Sequence, residues 1–300
     1  MSEIPAEQYR SLIKAQTDLL QAMFIEEHLN LVLDNYFEFE NELIKISLKN
    51  AIFPENYSEQ EKFENPWCAS VEEVFLVNRR VINLLSSGSL YVSVLEHAIH
   101  KIYSKDSQKY QIVKKLTSQE YDSNRPGYRV ICALRNHSQH YDIPFQQLTN
   151  GIRRVEEQSK VFRKISTAPK IMPKQLKNNK EFKAKILKEL EDMGELVELT
   201  PLIRQYMDSL GNIHRSIRDA ITPDLLPLES ILAKELQQHK KRTGWKEGLQ
   251  VIVVNELDKI VDSTNIFNDF VQRRKMLVFR NHNMHFSSRF VTSESSDFYA

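Results

Sequence analysis

The spacing of apolar residues along the chain indicates a protein built mainly from helices. In residues 5–33, apolar side chains recur three or four positions apart, which places them on one helical face (Tyr9, Leu12, Ile13, Leu19, Leu20, Met23 and Phe24). A second amphipathic stretch follows and ends near Pro54. The same spacing predicts a long helix that ends at about residue 104, and Ser70 with Glu73 fits a capping box at its start.

Further helices are predicted downstream, separated by proline-containing breaks. Residues 127–142 form one helix, and Pro144 ends it because proline cannot continue the helical hydrogen-bond ladder. Pro223 and Pro227 predict a turn. Amphipathic spacing predicts the remaining helices (146–164, 182 to about 221, 228–242 and 245–279).

These elements predict an all-α, multi-helix bundle in four consecutive regions. The regions are an acidic helical region at 1–66, a helical domain at 67–164, a basic linker or arm at 165–180 and a C-terminal helical region at 181–300. The 165–180 region is placed as a linker because it carries two prolines and many lysines. The segment 54–66 reads as a loop, since it is polar and bounded by prolines.

Glycine content supports a helical fold and excludes several enzyme classes. The 300 residues include 7 glycines, whereas glycine usually makes up roughly 7% of a protein. Hairpins and phosphate-binding loops depend on glycine. Neither GxGxxG nor GxxxxGK[ST] occurs in the sequence, so we exclude Rossmann and P-loop enzymes and expect no cofactor.

The sequence predicts a cytoplasmic protein with free thiols. No apolar run approaches the roughly 18 residues that a membrane span needs, and the polar N-terminal segment does not resemble a secretory signal. Cys68 and Cys132 form no CxxC pair and suggest no disulfide framework. We therefore expect no membrane association.

Charge is distributed unevenly along the chain. Residues 1–73 hold 15 acidic and 5 basic residues, whereas residues 153–188 hold 12 basic and 3 acidic residues. The basic stretch either contacts nucleic acid or packs against the acidic one. Its only aromatics are Phe162 and Phe182, so base stacking has little support. The candidate nucleic-acid contacts in it are lysines (Lys164, Lys170, Lys174 and Lys177).

A short polar string lies on the helix that Pro144 ends. The text LRNHSQHYDIP (134–144) places Arg135, Asn136 and His140 in one RNxxxH string. It resembles the HEPN superfamily, whose Arg-x(4–6)-His signature often has Asn after Arg, and it is similar to an RN-x-x-QH-x-x-x-P variant. The preceding helix resembles the first core helix of such domains (Asn78, Arg79, Asn83, Leu84, Leu85 and Ser86).

The resemblance covers roughly residues 68–150 and implies a HEPN-like core with additional N- and C-terminal helices. Many members of the superfamily are ribonucleases of bacterial defence and toxin systems that work without metal. A base takes the proton of a ribose 2′-OH, which attacks the adjacent phosphate, and an acid protonates the leaving 5′ oxygen. Histidine suits both proton transfers, and arginine binds phosphate oxygens through its planar fork.

The resemblance implies a role for each residue of the string. His140 is the acid or base, Arg135 clamps the phosphate, and Asn136 orients His140 or the substrate. At about 100° per residue, Asn136 and His140 lie about 40° apart around the helix, whereas Arg135 and His140 lie about 140° apart. His137 faces another direction and is expected to be exposed. The resemblance also implies a homodimer in which two copies of this helix line one groove, with RNA as substrate and an antitoxin or defence protein as a possible partner.

A related string occurs near the C-terminus. RNHNMH (280–285) matches the first string at its Arg, Asn and both His positions. It is a decayed second copy, an RNA-contacting basic tail or a coincidence. Under the second interpretation, Arg280 and His285 are candidate RNA contacts. The 70 residues before Arg280 resemble residues 68–134 poorly, which weighs against duplication.

The remaining histidines give weaker signals. His97 and His100 are three apart on a helix, a spacing that can hold a metal, but two ligands alone make no site. A solvated or partly buried helix face is the simpler interpretation of both, and His214 has the same status. We expect no metal.

The sequence leaves two functions open. One is a metal-independent endoribonuclease of HEPN type, and the other is a catalytically inactive helical scaffold that binds a protein or nucleic-acid partner. The positions of Arg135 and His140 separate them. Convergence in a polar groove, within one chain or across a dimer axis, favours the nuclease, and burial or separated outward-facing side chains favour the scaffold.

Overall fold

Eight helices and five strands make up the described part of the chain. In a computed structural model, residues 4–52, 66–157, 160–244 and 249–288 are described, except for the side chains of 66–70, 152, 155, 157 and 160–163. The helices are α1 (Ala6–Ile52), α2 (Pro66–Tyr103), α3 (Gln108–Tyr121), α4 (Gly127–His140), α5 (Pro173–Leu176), α6 (Ala184–Met193), α7 (Leu199–Thr243) and α8 (Asp269–Arg280). The strands are β1 (Gln147–Glu157), β2 (Lys160–Ile171), β3 (Val197–Glu198), β4 (Leu249–Val254) and β5 (Ile260–Ile266).

The predicted helical character is confirmed, but the prediction of an all-α chain is wrong. Two small sheets are present, one with the order β1-β2-β3 and one formed by β4 and β5. The predicted helices around α1, α2 and α4 are found at close to their expected positions. Most of the predicted loop at 54–66 falls outside the described residues. The predicted start of the second helix at Ser70 is wrong, because α2 already begins at Pro66 and Ser70 lies inside it.

The first hairpin replaces a predicted helix and part of the predicted linker. β1 pairs antiparallel with β2 from Gln147–Lys170 to Glu157–Lys160, where the sequence predicted a helix at 146–164 and a linker at 165–180. Residues of the linker instead form the end of β2 and the short helix α5. Apolar residues three apart suit a helix, but β-branched residues favour extended pairing, and both strands hold several (Thr149, Ile152, Val155, Val161, Ile165, Thr167 and Ile171).

The second hairpin interrupts the helix predicted at 245–279. β4 has the β-branched run Val-Ile-Val-Val and pairs antiparallel with β5. Asn255 closes the turn, because its Oδ1 accepts hydrogen bonds from the backbone N–H groups of Leu257 and Lys259, each at 3.0 Å. Only the last part of the predicted helix is helical, as α8.

The turn predicted at Pro223 and Pro227 is also absent. Both prolines lie inside α7, which runs unbroken through them. Apolar side chains on either side of the prolines are buried (Ile221, Leu225 and Leu232). Tertiary packing of this face therefore overrides the local preference of proline to end a helix. No helix in the described ranges is both long and apolar enough to cross a membrane.

The chain divides into two compact units, each made of three segments. The first unit comprises Met1–Leu33, Ser87–Ser118 and Ile213–His282. The second unit comprises Asp34–Ser86, Gln119–Asn212 and Asn283–Ala300. Helices α1, α2 and α7 each contribute residues to both units.

The core of the first unit contains a buried polar network. Along α1, the buried apolar residues follow helical spacing (Leu12, Ala15, Leu19, Ala22, Ile25, Leu29 and Val32). Among them lies Glu26, which accepts two hydrogen bonds from Arg218 and contacts Nε2 of His214 at 3.0 Å. Nδ1 of His214 lies 2.9 Å from the Tyr91 hydroxyl. Burial opposes ionisation of Glu26, but His214 and Arg218 outweigh it and lower the pKa of Glu26 to about 2.

The second unit contains α4 and the side chain that holds the segment after it. Asn78 of α2 is 1% exposed. Its Nδ2 donates to the Phe145 carbonyl at 3.0 Å, and its Oδ1 accepts from the Phe145 N–H at 3.3 Å. We call this pair of bonds the Asn78–Phe145 clasp. At the other end of α4, Gly127 packs so closely on α7 that an added Cβ would lie 2.6 Å from the Leu202 carbonyl oxygen.

Substitution of Asn78 by alanine should destabilise the protein. The change leaves both backbone groups of Phe145 buried and unpaired, which costs about 2–4 kcal/mol of unfolding free energy. Urea unfolding followed by circular dichroism measures the loss. Asn83→Ala, at an exposed position of the same helix, is the matched control and should stay within about 0.5 kcal/mol of wild type. An equal response of the two variants would contradict the clasp.

Candidate active site

One face of α4 is buried in the core, so the side chains on its opposite face point toward solvent. The buried residues follow helical spacing (Tyr128, Val130, Ile131, Ala133, Leu134 and His137). Asn136, Gln139 and His140 are exposed. The helix ends at His140, and the clasp holds the chain again at Phe145. The rigid core therefore determines the direction of the polar string.

Arg135 is held by the residue that follows it. Its side chain is half-buried, and one terminal guanidinium nitrogen donates to Oδ1 of Asn136 at 3.1 Å. The Nε atom of Arg135 is buried and has no hydrogen-bond partner among the described residues. Asn136 thus contacts Arg135, and the role that the resemblance implies for Asn136, which is to orient His140 or the substrate, stays a prediction.

His140 is exposed at the last position of α4. Within the described ranges, it makes no hydrogen bond and no ion pair, with Arg135 or with any other residue. One chain therefore presents the cation and the imidazole separately. The roughly 140° between the two positions around the helix axis accounts for this separation.

The prediction that His137 is exposed is wrong. His137 is 2% exposed, and its Nδ1 lies 3.0 Å from Nδ2 of Asn179. Its ring also contacts the rings of Tyr141 and Phe182. Burial lowers the pKa of His137 below its usual value. The signal was present in the sequence, since His137 follows Leu134 by three positions on the apolar stripe of α4.

Three of the four predicted lysine contacts are engaged in ion pairs. Lys170 lies 3.1 Å from Glu198, Lys174 lies 2.8 Å from Glu195, and Lys177 lies 2.6 Å from Glu191 (nitrogen to carboxylate oxygen). Lys164 is exposed on β2. Carboxylates thus neutralise the charges of Lys170, Lys174 and Lys177, whereas Lys164 has no carboxylate partner among the described residues.

The second string has a different backbone setting from the first. α8 ends at Arg280, so the string crosses the end of a helix instead of lying within one. Asn281 is buried, and its Nδ2 lies 3.4 Å from Oδ1 of Asn30. Arg280 and His285 are exposed. The buried contact gives Asn281 a structural role, and the matching letters do not correspond to matching geometry.

The other histidines do not form a metal centre in the described ranges. No group of three or more His, Cys, Asp or Glu residues there is arranged to hold a metal ion. His97 is exposed, and His100 packs its ring against Tyr110. His214, which the sequence placed on a solvated or partly buried face, is fully buried in the Glu26 network. Sequence reasoning missed that network because its members lie far apart along the chain.

Comparisons with known proteins give no relative from which the roles of these residues could be transferred. No family model, no curated protein and no solved structure matches this chain. The site offers a fixed cation, an amide that contacts it and an exposed imidazole. Cys132, close to Arg135 in sequence, offers no reactive thiolate, since burial raises its pKa to about 11.

The two neighbouring histidines of α4 should respond differently to substitution. His137→Ala removes buried packing and a hydrogen-bond partner, so we expect a loss of about 1–3 kcal/mol in unfolding free energy. His140→Ala removes an exposed side chain and should change it by less than about 0.5 kcal/mol. Urea unfolding of both variants tests this. If His140→Ala proves as destabilising as His137→Ala, the orientation of α4 described above is incorrect.

Proposed function

We propose that this chain is a metal-independent endoribonuclease of HEPN type that acts as a homodimer, in a bacterial defence or toxin system. The observation that carries the proposal is the polar string on α4, whose opposite face is locked in the core. Asn136 contacts Arg135, and His140 is exposed with no described hydrogen bond. A buried histidine such as His137 would not act as the acid or base, because it is desolvated and its ring already contacts Asn179.

The proposed reaction requires only proton transfers and charge stabilisation. One imidazole accepts the proton of a ribose 2′-OH as the 2′ oxygen forms a bond to the adjacent phosphorus. The bond from phosphorus to the 5′ oxygen breaks, and a second imidazole, protonated at the outset, gives its proton to that oxygen. The products are a 2′,3′-cyclic phosphate and a 5′-hydroxyl. Arg135 stabilises the charge on the phosphoryl oxygens in the transition state.

The dimer follows from the number of groups that this reaction needs. An acid and a base are required, and each copy of α4 offers one exposed histidine of the string. Arg135 and His140 also point in different directions on one helix. A two-fold axis that pairs two copies of α4 supplies two histidines and two arginines to one groove, since such an interface uses the same surface on both subunits.

A catalytically inactive scaffold is the second candidate. Within one chain, Arg135 and His140 are separated and share no described hydrogen bond, which favours a scaffold unless two copies of α4 converge across a dimer axis. In that case, the string is a surface that binds a protein or nucleic-acid partner. Activity and subunit exchange distinguish the two candidates.

Arg135→Ala and His140→Ala should each abolish most RNA cleavage. Loss of a phosphate clamp or of a proton-transfer group lowers the rate by about 100-fold or more. Purified protein is incubated with total RNA in EDTA, and the products are checked for 2′,3′-cyclic ends. Lys234→Ala, exposed on α7 and outside the string, is the control and should cleave normally. Wild-type cleavage by both alanine variants would reject the assignment.

A mixing form of the same assay tests the dimer. If each site needs a histidine from both subunits, an excess of His140→Ala protein should inhibit the wild type by forming mixed dimers. An equal excess of Lys234→Ala protein, which is itself active, should raise the total activity instead of lowering it. Activity in the His140→Ala mixture that simply follows the amount of wild-type protein would show that one chain is sufficient.

A further inference from the structure

Cationic residues occupy two consecutive register pairs of the first hairpin. In the register of β1 and β2, Arg153 lies opposite Lys164, and Arg154 lies opposite Arg163. Because neighbouring strand positions face opposite sides, Arg153 and Lys164 share one face of the ribbon and Arg154 lies on the other. We call Arg153, Arg154 and Lys164, whose side chains are described, the cationic ladder. Like charges placed directly opposite each other destabilise a strand pair, so the pair of Arg153 and Lys164 weakens the hairpin unless an anion lies close by.

Within the described residues, the ladder lacks the carboxylates that such an arrangement needs. Arg153, Arg154 and Lys164 are exposed and take part in no described ion pair or hydrogen bond. Glu156, two positions after Arg154 and therefore on the same face of β1, lies opposite Val161 in the register and forms no described ion pair with Arg154.

The basic stretch at 153–188 thus separates into two parts. Lys170, Lys174 and Lys177 each have a glutamate partner at 2.6–3.1 Å. The ladder has none among the described side chains. The stretch that looked uniformly basic in the sequence is thus neutralised by glutamates at Lys170, Lys174 and Lys177 but not at the described side chains of the ladder.

The base of the hairpin is held to the second unit. Ser47 of α1 donates to the Thr167 hydroxyl at 3.0 Å, and that hydroxyl donates to Oδ1 of Asn150 at 2.8 Å. Because isolated two-stranded hairpins are only marginally stable in water, this anchoring matters. Arg153 lies three residues beyond Asn150, about 10 Å along the strand. The ladder is therefore close to an anchored segment, which limits how far it can move.

We infer that the cationic ladder binds the phosphate backbone of RNA and positions it for the site on α4. This inference rests on the proposed ribonuclease function. A polyanion removes the repulsion within the ladder and releases counterions, which makes binding strong at low salt and independent of sequence. The few aromatic residues in the basic stretch agree with contacts to phosphates instead of bases. The ladder touches no reacting atom, so it acts in positioning and not in catalysis.

The test neutralises the exposed ladder residues in a background that cannot cleave RNA. Binding of a fluorescein-labelled 20-nucleotide RNA is measured by anisotropy for His140→Ala protein with and without Arg153→Gln, Arg154→Gln and Lys164→Gln. We expect the dissociation constant to rise about tenfold or more, and the slope of log K against log salt to fall in magnitude by about 2, because three phosphate contacts are lost.

A control triple variant separates the ladder from net charge. Lys234→Gln, Lys240→Gln and Lys241→Gln remove three exposed cations of α7 and should leave RNA binding within about twofold. Equal weakening by the two triple variants, or no weakening by the ladder variant, overturns the inference. Tighter binding of duplex DNA than of RNA through the ladder also overturns it, since a two-stranded ribbon fits the DNA major groove.

These outcomes are independent of the fate of the proposed function. Weakened binding by the ladder variant, together with no cleavage by the wild type, would reject the nuclease and retain RNA binding by the ladder. Cleavage that depends on Arg135 and His140, together with unchanged binding by the ladder variant, would retain the nuclease and reject the ladder.

Discussion

The burial of one face of α4 is the constraint on which the rest of the candidate site depends. Leu134 and His137 are fixed in the core, and the helix period then forces Asn136 and His140 toward solvent. The Asn78–Phe145 clasp holds the chain just after the helix. Because the clasp pairs buried backbone groups that would otherwise be unsatisfied, it fixes both the end of α4 and the start of the first hairpin.

Charge compensation distinguishes structural from available ionic groups in this protein. Glu26 is buried, but Arg218 and His214 surround it, so it stays ionised and serves the core. Lys174 and Lys177 are exposed but paired with glutamates. The cationic ladder and His140 have no such partners among the described residues, and the proposals of RNA binding and cleavage use these uncompensated groups.

The histidines show how far residue type alone can lead. The positions of His140 and His137 in one string led to a catalytic role for the first and an exposed position for the second. The three-residue spacing of His137 from Leu134 already indicated that His137 is buried. It had no comparable signal for His214, whose partners Glu26 and Tyr91 lie far away in the chain. A local pattern records which helical face a residue occupies, but not which side chains of other elements meet it there.

The sequence by itself determined the helical character, the positions of α1, α2 and α4 and the polar string, because helical hydrogen bonds and apolar spacing are local. It did not determine the two hairpins. The stretch around β1 has apolar residues at a spacing that suits a helix, and pairing with β2 decided otherwise. Tertiary packing likewise kept α7 helical through Pro223 and Pro227. Only the folded structure decided which lysines are neutralised and which cations face one another, since ion pairs and strand register join residues that the sequence leaves apart.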